Sequence, residues 1–399
     1  MNECRNILVI GGGKFQCEGI KKLIKKNYSV ILIDVDENCE GKQYASVFFC
    51  ADILDPIKLI TLLENNKIKI ISAMCFSIEV ALRSVAYINN YYSLPGINLE
   101  MVKIATDKAL QRKIMIENNL PCPFFLEIYK DFDDEFITKI KNYPVIIKPT
   151  DNAGSRGVIV CNNKDELKLN FNKSLQNSKF DNKVVLEEFI PGIEFTVEAV
   201  VVNNEVKILG ISEKKKPVNN FTVSIELFYN SPFVEIHRNS IEEIITIFLK
   251  SCNFNNTITH TEIMYSFQDN KFYIIESTVR GGGMYIFDKI LPYITGFDST
   301  GLIIDLLLGK KVDFPQPLNR PCILGFFHTN KGKIKSIYTI NETLINNIEY
   351  GLFVKENDEV GEWENDTSRI GYFLTYANNW QDAFLKARLI EYCIRIEII

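Results

Sequence analysis

The chain has 399 residues, and at about 100–200 residues per domain this length predicts two to four domains. Hydrophobic residues make up 46% of it and charged residues 24%, proportions that argue against a disordered, collagen-like or coiled-coil protein. The 45 basic and 50 acidic residues give a net charge of −5, and no long basic run offers a surface for nucleic acid. No stretch approaches the roughly 20 apolar residues that a membrane-spanning helix needs. We therefore expect a globular protein that binds neither nucleic acid nor a membrane.

Cysteine and histidine usage indicates the compartment and the kind of metal. The 10 cysteines are scattered singly, with no Cys-x-x-Cys pair, and most lie in apolar segments, as Cys50, Cys75 and Cys161 do. This pattern predicts reduced, buried thiols in a cytoplasmic protein, and the short apolar stretch after the charged start predicts no secretory signal. None of the 3 histidines lies near another His or a Cys at ligand spacing. We expect no zinc or haem site, and any metal should be a hard cation held by carboxylates.

The first hundred residues alternate apolar runs with helical lengths. Residues 6–10, 29–33 and 69–74 are such runs, a pattern typical of a parallel sheet covered on both faces. This predicts a Rossmann-like domain. Glycines 11–13 and Asp34 resemble a dinucleotide-binding motif, but Gln16 stands where its third glycine belongs. A tight turn that requires glycine is the favoured interpretation, and an oxidoreductase that binds a nicotinamide cofactor stays open as the alternative.

A second region begins after a helix predicted over residues 106–118, which ends before two prolines. β-rich runs follow, and Asn203-Asn204 and Asp269-Asn270 predict antiparallel hairpins. Helical patterns recur at residues 241–252 and 285–308, before a proline-rich boundary. The predicted domains are residues 1–105, residues 106–318 with a small lobe of about 122–190 and a large lobe of about 191–318, and a β-rich cap at 319–399.

Two segments of the second region suit a nucleotide. Lys148 ends an apolar strand before a glycine-containing loop, where a lysine and backbone N–H groups can approach phosphate oxygens. The alternative is an exposed hairpin with a lysine whose stem covers apolar surface. Further on, Glu187 and Glu194 flank the turn Pro191-Gly192. Main-chain groups at such a hinge can hold adenine and a carboxylate can hold ribose, although strand glutamates usually face solvent.

Two later strands each place a carboxylate among apolar neighbours. If they pair through the turn at residues 268–270, Glu262 and Glu276 lie side by side. Two carboxylates so close repel each other unless a cation lies between them or one takes a proton. Magnesium that bridges them to nucleotide phosphates is the economical interpretation, with Arg280 placed to bind an oxyanion or phosphoryl group. The alternative is a Glu–Arg ion pair on a hairpin.

Taken in chain order, these motifs resemble the ATP-grasp superfamily. The series comprises Asp107-Lys108, Lys148 with its loop, the Glu-Glu-Phe-Ile-Pro-Gly-x-Glu hinge, Glu262, and Glu276 with Arg280. The resemblance covers about residues 5–310 and is greatest to the carboxylate–amine ligase branch, as in bacterial L-amino-acid ligases. It extends more distantly to biotin carboxylase and carbamoyl-phosphate synthetase. It implies an α/β and α+β fold: a Rossmann-like N-terminal domain, a two-lobed ATP-grasp core and a small C-terminal cap.

The resemblance also implies roles for individual residues. The implied nucleotide-binding residues are Lys108 and Lys148 on the phosphates, Ser155 and Arg156 in the closing loop, Glu187, Glu188 and the main chain of Ile190 at adenine, and Glu194 on ribose. Glu262 and Glu276 would hold Mg²⁺ or Mn²⁺. Thr278 stands where the family usually has an Asn ligand, so tight binding of a second ion is in doubt. Arg280 would be catalytic and stabilise the acyl phosphate.

The sequence specifies the substrates less closely than the nucleotide. Glu79 is a candidate for a substrate ammonium or for a helix N-terminus, and His260 for substrate contact or for packing. The remaining candidates for substrate contact are Lys214, Glu226, Gly282 and Gly283. The expected activity is ATP-dependent joining of a small carboxylate or amino acid to an amine through an acyl phosphate. Carboxylation or formyl transfer on a nucleotide precursor and a non-catalytic ATP sensor remain alternatives, and a homodimer is left open.

Overall fold

The computed structural model describes residues 4–129, 134–152, 154, 156–217, 223–363 and 368–399. The N-terminal part is a parallel sheet of order β3-β2-β1-β4 with helices packed on it. The Rossmann-like prediction is therefore confirmed, and β3 is a fourth strand that was not predicted. Its elements are β1 (Asn6–Ile10), α1 (Cys17–Lys25), β2 (Ser29–Asp34), β3 (Val47–Cys50), α2 (Pro56–Asn65), β4 (Ser72–Met74), α3 (Leu82–Tyr91) and α4 (Leu99–Ala105).

The loop after β1 uses its polar groups internally. Gly11 has a φ of +95°, and a Cβ there would lie 2.2 Å from the Cδ1 atom of Ile78. The N–H of Gly12 donates to the Oδ2 of Asp34 at 2.6 Å, and the Oε1 of Gln16 accepts from the N–H of Phe76 at 3.0 Å. This geometry supports the tight turn that requires glycine rather than a dinucleotide site.

The next part is a four-stranded antiparallel sheet of order β5-β8-β6-β7. Its helix α7 packs on β6 and β7 through Leu167 and Phe171, which are buried in a small apolar core. The elements are α5 (Lys108–Glu117), β5 (Phe125–Ile128), α6 (Asp134–Thr138), β6 (Val145–Pro149), β7 (Ile159–Cys161), α7 (Lys164–Leu175) and β8 (Val184–Glu188). The helix predicted over residues 106–118 is thus α5, which begins after the cap Asp107.

Long antiparallel strands follow. The two predicted hairpins are confirmed, because β9 pairs with β10 around Asn203 and Asn204, both at positive φ, and β12 pairs with β13. The elements are β9 (Gly192–Val202), β10 (Glu205–Lys215), β11 (Glu226–Tyr229), α8 (Pro232–Ser251), β12 (Thr257–Ser266), β13 (Lys271–Thr278), a π-helical turn (Ile286–Ile290), α9 (Leu291–Thr295) and α10 (Ser299–Leu307).

The two helical patterns of this region have different bounds from those predicted. Helix α8 begins nine residues before residue 241, because Ser231 caps it and proline is tolerated in a first helical turn. The pattern at 285–308 is interrupted by Gly296, at a φ of +79°. Among the described residues no single helix is long and apolar enough to cross a membrane; the segments Ile286–Thr295 and Ser299–Leu307 reach that composition only together, with a bend of 119° between them.

The C-terminal segment joins the central sheet. It contains β14 (Cys322–Phe327), β15 (Gly332–Thr339), β16 (Glu349–Leu352), β17 (Glu359–Val360), β18 (Gly371–Tyr376), α11 (Trp380–Cys393) and β19 (Ile394–Ile398). Strands β14, β18 and β16 complete an eight-stranded sheet of order β13-β12-β9-β10-β11-β14-β18-β16, whereas β17, β15 and β19 form a separate sheet. The segment is β-rich, as expected, and the division at residue 318 stays a prediction.

The cysteine prediction needs one correction. All 10 cysteines are free thiols, and seven of them are buried, among them Cys75 and Cys161. Cys50 and Cys4, however, are exposed. Cys50 ends the edge strand β3, so its apolar neighbours in the sequence do not bury it.

Candidate active site

A cleft of about 900 Å³ lies between the four-stranded and the eight-stranded sheet. One part of its wall is apolar and comes from both sheets, including Ile146, Val158, Val160, Phe189, Ile190 and Ile275. The other part carries the charged residues Lys108, Lys148, Glu187, Glu194, Lys214, Glu262, Glu276 and Arg280, together with His260. The cleft therefore brings together most of the residues that the sequence singled out.

Two carboxylates face each other on neighbouring strands in this wall. Glu262 on β12 is the register partner of Glu276 on β13, immediately before a bulge. The prediction that a hairpin brings these residues side by side is confirmed. Thr278 pairs with His260 two positions along, on the same face, because side chains alternate along a strand. Its Oγ1 is buried and has no hydrogen-bond partner among the described residues.

A lysine neutralises each carboxylate. The Nζ of Lys108 lies 2.7 Å from the Oε2 of Glu276 and donates to the carbonyl of Asn152 at 2.9 Å. Burial alone would raise the pKa of Glu276, but Lys108 outweighs it and lowers that pKa to about 2. On the other strand, the Nζ of Lys214 lies 2.5 Å from the Oε1 of Glu262 and also contacts Glu194. Burial nevertheless raises the pKa of Glu262.

The predicted phosphate-binding Lys148 belongs to a buried ion triad. Its Nζ lies 2.7 Å from the Oε2 of Glu187, while Arg112 contacts the same carboxylate through Nε at 2.8 Å and Nη2 at 3.2 Å. Lys148, Glu187 and Arg112 are 4%, 2% and 0% exposed. Burial lowers the pKa of Lys148 despite this pairing. Because cations already contact both oxygens of Glu187, its role at adenine stays a prediction.

Helix α5 fixes the strand that carries Glu276. The Nη2 of Arg112 donates to the carbonyl of Ile275 at 2.7 Å. The side-chain amide of Gln111 donates to the carbonyl of Ser277 at 2.8 Å and accepts from its N–H at 2.9 Å. Gln111 and Arg112 were not predicted. Their spacing of three and four residues from Lys108, which puts all three on one helix face, is the pattern that could have revealed them.

Arg280 is held from the N-terminal domain. Its Nη2 lies 3.0 Å from the Oε2 of Glu79, and its Nη1 donates to the carbonyl of Gly281 at 3.0 Å. Glu79 thus orients the predicted catalytic arginine. Neither role considered from the sequence, the binding of a substrate ammonium or the capping of a helix N-terminus, included this contact. The ammonium-binding role of Glu79 stays a prediction.

His260 faces the cleft rather than only packing. Its Nδ1 is hydrogen-bonded to the Oε1 of Glu198, a fully buried residue that was not predicted. The other oxygen of Glu198 accepts from the N–H of Gly282 at 3.2 Å. A Cβ at Gly282 would lie 2.8 Å from Glu198, so the close approach requires glycine. Gly283 lines the cleft beside Arg280.

The remaining residues predicted from the sequence lie at the margin of the cleft or outside it. Glu188 and the hinge residue Ile190 line the cleft, whereas Arg156 is exposed outside its wall. Ser155 lies outside the described residues. Glu226 is buried and does not line the cleft; it forms an ion pair with Arg388, and burial raises its pKa to about 7. The geometry therefore gives no support to substrate contact by Glu226.

Comparisons with known proteins agree with this geometry. A family profile for the ATP-grasp domain matches residues 141–288. The chain is 30% identical over 190 residues to a D-alanine–D-alanine ligase of Pelagibacter ubique, an alignment that covers 45% of this chain and 59% of that protein. The chain thus spans less than two thirds of the length of this curated relative.

Two solved structures show the same fold. An L-amino acid ligase from Bacillus licheniformis aligns over 100% of both chains with a TM-score of 0.86 at 18% identity. The biotin carboxylase domain dimer of the Hydrogenobacter thermophilus 2-oxoglutarate carboxylase, in complex with MgADP and bicarbonate, aligns over 99% of this chain and 91% of that one, with a TM-score of 0.77 at 16% identity. Residues 141–288 of the chain therefore match an ATP-grasp domain, in sequence and in fold.

Proposed function

We propose that the protein is an ATP-dependent ligase that joins a small carboxylate, such as an amino acid, to an amine and releases ADP and phosphate. One observation carries the proposal. Glu262 and Glu276 stand opposite each other with Lys108, Lys148 and Arg280 in the same cleft. Such a set of charges suits the transfer of a phosphoryl group to a carboxylate, a reaction that depends mainly on positioning and electrostatics.

The nucleotide would lie across the two sheets. The apolar wall and the main chain of Ile190 suit adenine, and Glu194, close to the hinge, suits the ribose diol. Lys108 and Lys148 would bind the phosphates. Both lysines are buried and held by carboxylates, so their ammonium groups are oriented before a nucleotide arrives.

The residues present fit a hard divalent cation. Glu262 and Glu276 are opposed carboxylates, and the buried hydroxyl of Thr278 has no other partner among the described residues. Among the residues that the structure describes, no group of three or more His, Cys, Asp or Glu side chains could hold a metal ion without other ligands. Phosphate and water oxygens would therefore complete the coordination. When bound, Mg²⁺ would neutralise phosphate charge beside the two glutamates.

The chemistry has two steps. A carboxylate is a poor electrophile, so an oxygen of the substrate carboxylate first attacks the γ-phosphorus and ADP leaves. The amine then attacks the carbonyl carbon of the acyl phosphate, the C–O bond to phosphate breaks, and the nitrogen loses a proton. Arg280, oriented by Glu79, would stabilise the negative charge on the acyl oxygen during the second step.

The test is ADP and phosphate release with ATP, Mg²⁺ and a panel of amino-acid pairs. We expect turnover that depends on both substrates and is lost in Glu276→Ala and Arg280→Ala. The matched control is Arg83→Ala, which removes a guanidinium outside the cleft whose Nη2 lies 3.5 Å from Asp181. Formation of AMP instead of ADP would overturn the acyl-phosphate route.

The same measurements separate the other candidate functions. Turnover that depends on bicarbonate or formate would favour carboxylation or formyl transfer. We retain this alternative because the fold is similar to that of a biotin carboxylase domain with bound bicarbonate. Tight ATP binding without ADP release across the whole panel would favour a sensor. Binding of a nicotinamide cofactor without binding of ATP would contradict every ATP-dependent function and favour an oxidoreductase.

A further inference from the structure

Lys214 lies between two carboxylates in the wall of the cleft. Its ammonium group lies between Glu194, proposed for ribose, and Glu262, proposed for metal, and touches both carboxylates. The side chain is 11% exposed. Its strand β10 pairs with β9 as far as Glu213, and Lys214 itself pairs with Leu227 on β11, so the backbone of this lysine is held in the sheet from one side.

The position of Lys214 opposes a metal ion at the same oxygen. Its Nζ lies 2.5 Å from the Oε1 of Glu262. A magnesium ion bound to that oxygen would lie about 2.0–2.1 Å from it, so ion and ammonium would compete for the same side of the carboxylate. Two positive charges at such separations repel each other strongly, because the side chains of Lys214 and Glu262 are only 11% and 23% exposed.

The number of donors points the same way. Magnesium demands six oxygen ligands in near-octahedral geometry. The protein offers two carboxylates and the hydroxyl of Thr278, and Lys108 already contacts the Oε2 of Glu276. While Lys214 occupies an oxygen of Glu194 and of Glu262, the donors that remain, with the phosphates, suffice for one ion that keeps some of its waters.

We propose that the Lys214 ammonium group takes the place of a second metal ion, so that the cleft binds one divalent cation with each nucleotide. This inference rests on the proposed function, because it presumes a nucleotide in the cleft. It assigns Lys214 a positioning role: it neutralises Glu262 and links the ribose end of the cleft to the metal end. The lysine then contacts no substrate.

The experiment counts Mn²⁺ ions bound to the full-length chain with a non-hydrolysable ATP analogue, by equilibrium dialysis and electron paramagnetic resonance. We expect one Mn²⁺ per bound nucleotide in the wild type, with the spectrum of an isolated ion. Lys214→Met should bind two, with the exchange-coupled spectrum of ions about 3.5–4 Å apart. Lys215→Met is the matched control and should stay at one, because this neighbouring lysine pairs with Glu213 instead.

The outcomes separate the inference from the proposed function. Two ions in the wild type would overturn the inference and leave the ligase proposal standing, even if the Lys214→Met chain does not fold. One ion in both proteins would overturn the role of Lys214. If neither nucleotide nor Mn²⁺ bound to the wild type, the proposed function would fail first.

Discussion

Replacing Glu187 by Gln tests the buried ion triad. The substitution keeps the shape of the side chain but leaves Lys148 and Arg112, both buried, without the carboxylate between them. Removing one partner of a buried pair typically costs about 3–5 kcal/mol in the free energy of unfolding. With an entropy of unfolding of about 2.1 cal/mol/K per residue, 399 residues that unfold as one unit would lose about 4–6 °C in melting temperature.

The loss should depend on pH in a defined direction. Burial already lowers the pKa of Lys148, and without Glu187 that pKa falls further below its value in the unfolded chain. Between those two values the unfolded chain binds more protons than the folded one, so the stability of the variant rises with pH. We therefore expect the stability deficit of Glu187→Gln to shrink as the pH rises toward about 10.

Thermal unfolding followed by circular dichroism measures both effects. The matched control is Asp181→Asn, which removes a carboxylate whose ion pair with Arg83 spans 3.5 Å and is partly exposed. Such pairs contribute about 0–1 kcal/mol, so the control should shift the melting temperature by no more than about 1 °C. A shift as small as that in Glu187→Gln, or a deficit that grows with pH, would refute the reasoning.

Two further predictions concern stability. Gly192→Ala would place a methyl group 1.8 Å from the carbonyl oxygen of Tyr265. We therefore expect the free energy of unfolding, measured in urea, to fall by about 1–3 kcal/mol. Gly361→Ala, where a Cβ meets nothing within 4 Å, is the control, and equal losses in the two would contradict the steric argument. Burial alone would raise the pKa of Glu127, but hydrogen bonds from Lys113 and Lys183 lower it to about 2. Its stabilising effect is therefore complete above the unfolded value of about 4.5 and is lost as the pH falls. The melting-temperature gap between the wild type and Glu127→Gln should narrow from pH 6 to pH 3, and a constant gap would refute this.

Local patterns predicted the parts of the site that one hairpin or one strand contains. The pairing of Glu262 with Glu276 followed from a short turn and a period of two, since a turn between two strands fixes their register. The position of Lys148 followed from the end of an apolar run beside a loop. These predictions needed no knowledge of how distant parts of the chain meet.

Contacts between distant segments could not be predicted in the same way. Arg112 meets Glu187 across 75 residues of chain, and Arg280 meets Glu79 across 201. Nothing in the sequence around Glu198 shows that it lies beneath His260. The same limit applies to the sheets, because the residues of β14 do not reveal that it pairs with the distant strand β11 as well as with β18 of its own segment.

Gln111 has a consequence for how copies of this chain can associate. In the described part of the chain β13 is the first strand of the eight-stranded sheet, so no strand pairs with its outer edge, the kind of surface on which another chain can add a strand. At Ser277 the side-chain amide of Gln111 uses both the N–H and the carbonyl, as a neighbouring backbone peptide would. The glutamine thus imitates one residue of a missing strand. An incoming chain would have to displace it, and Glu276, one residue away, is protected from being drawn into an intermolecular sheet.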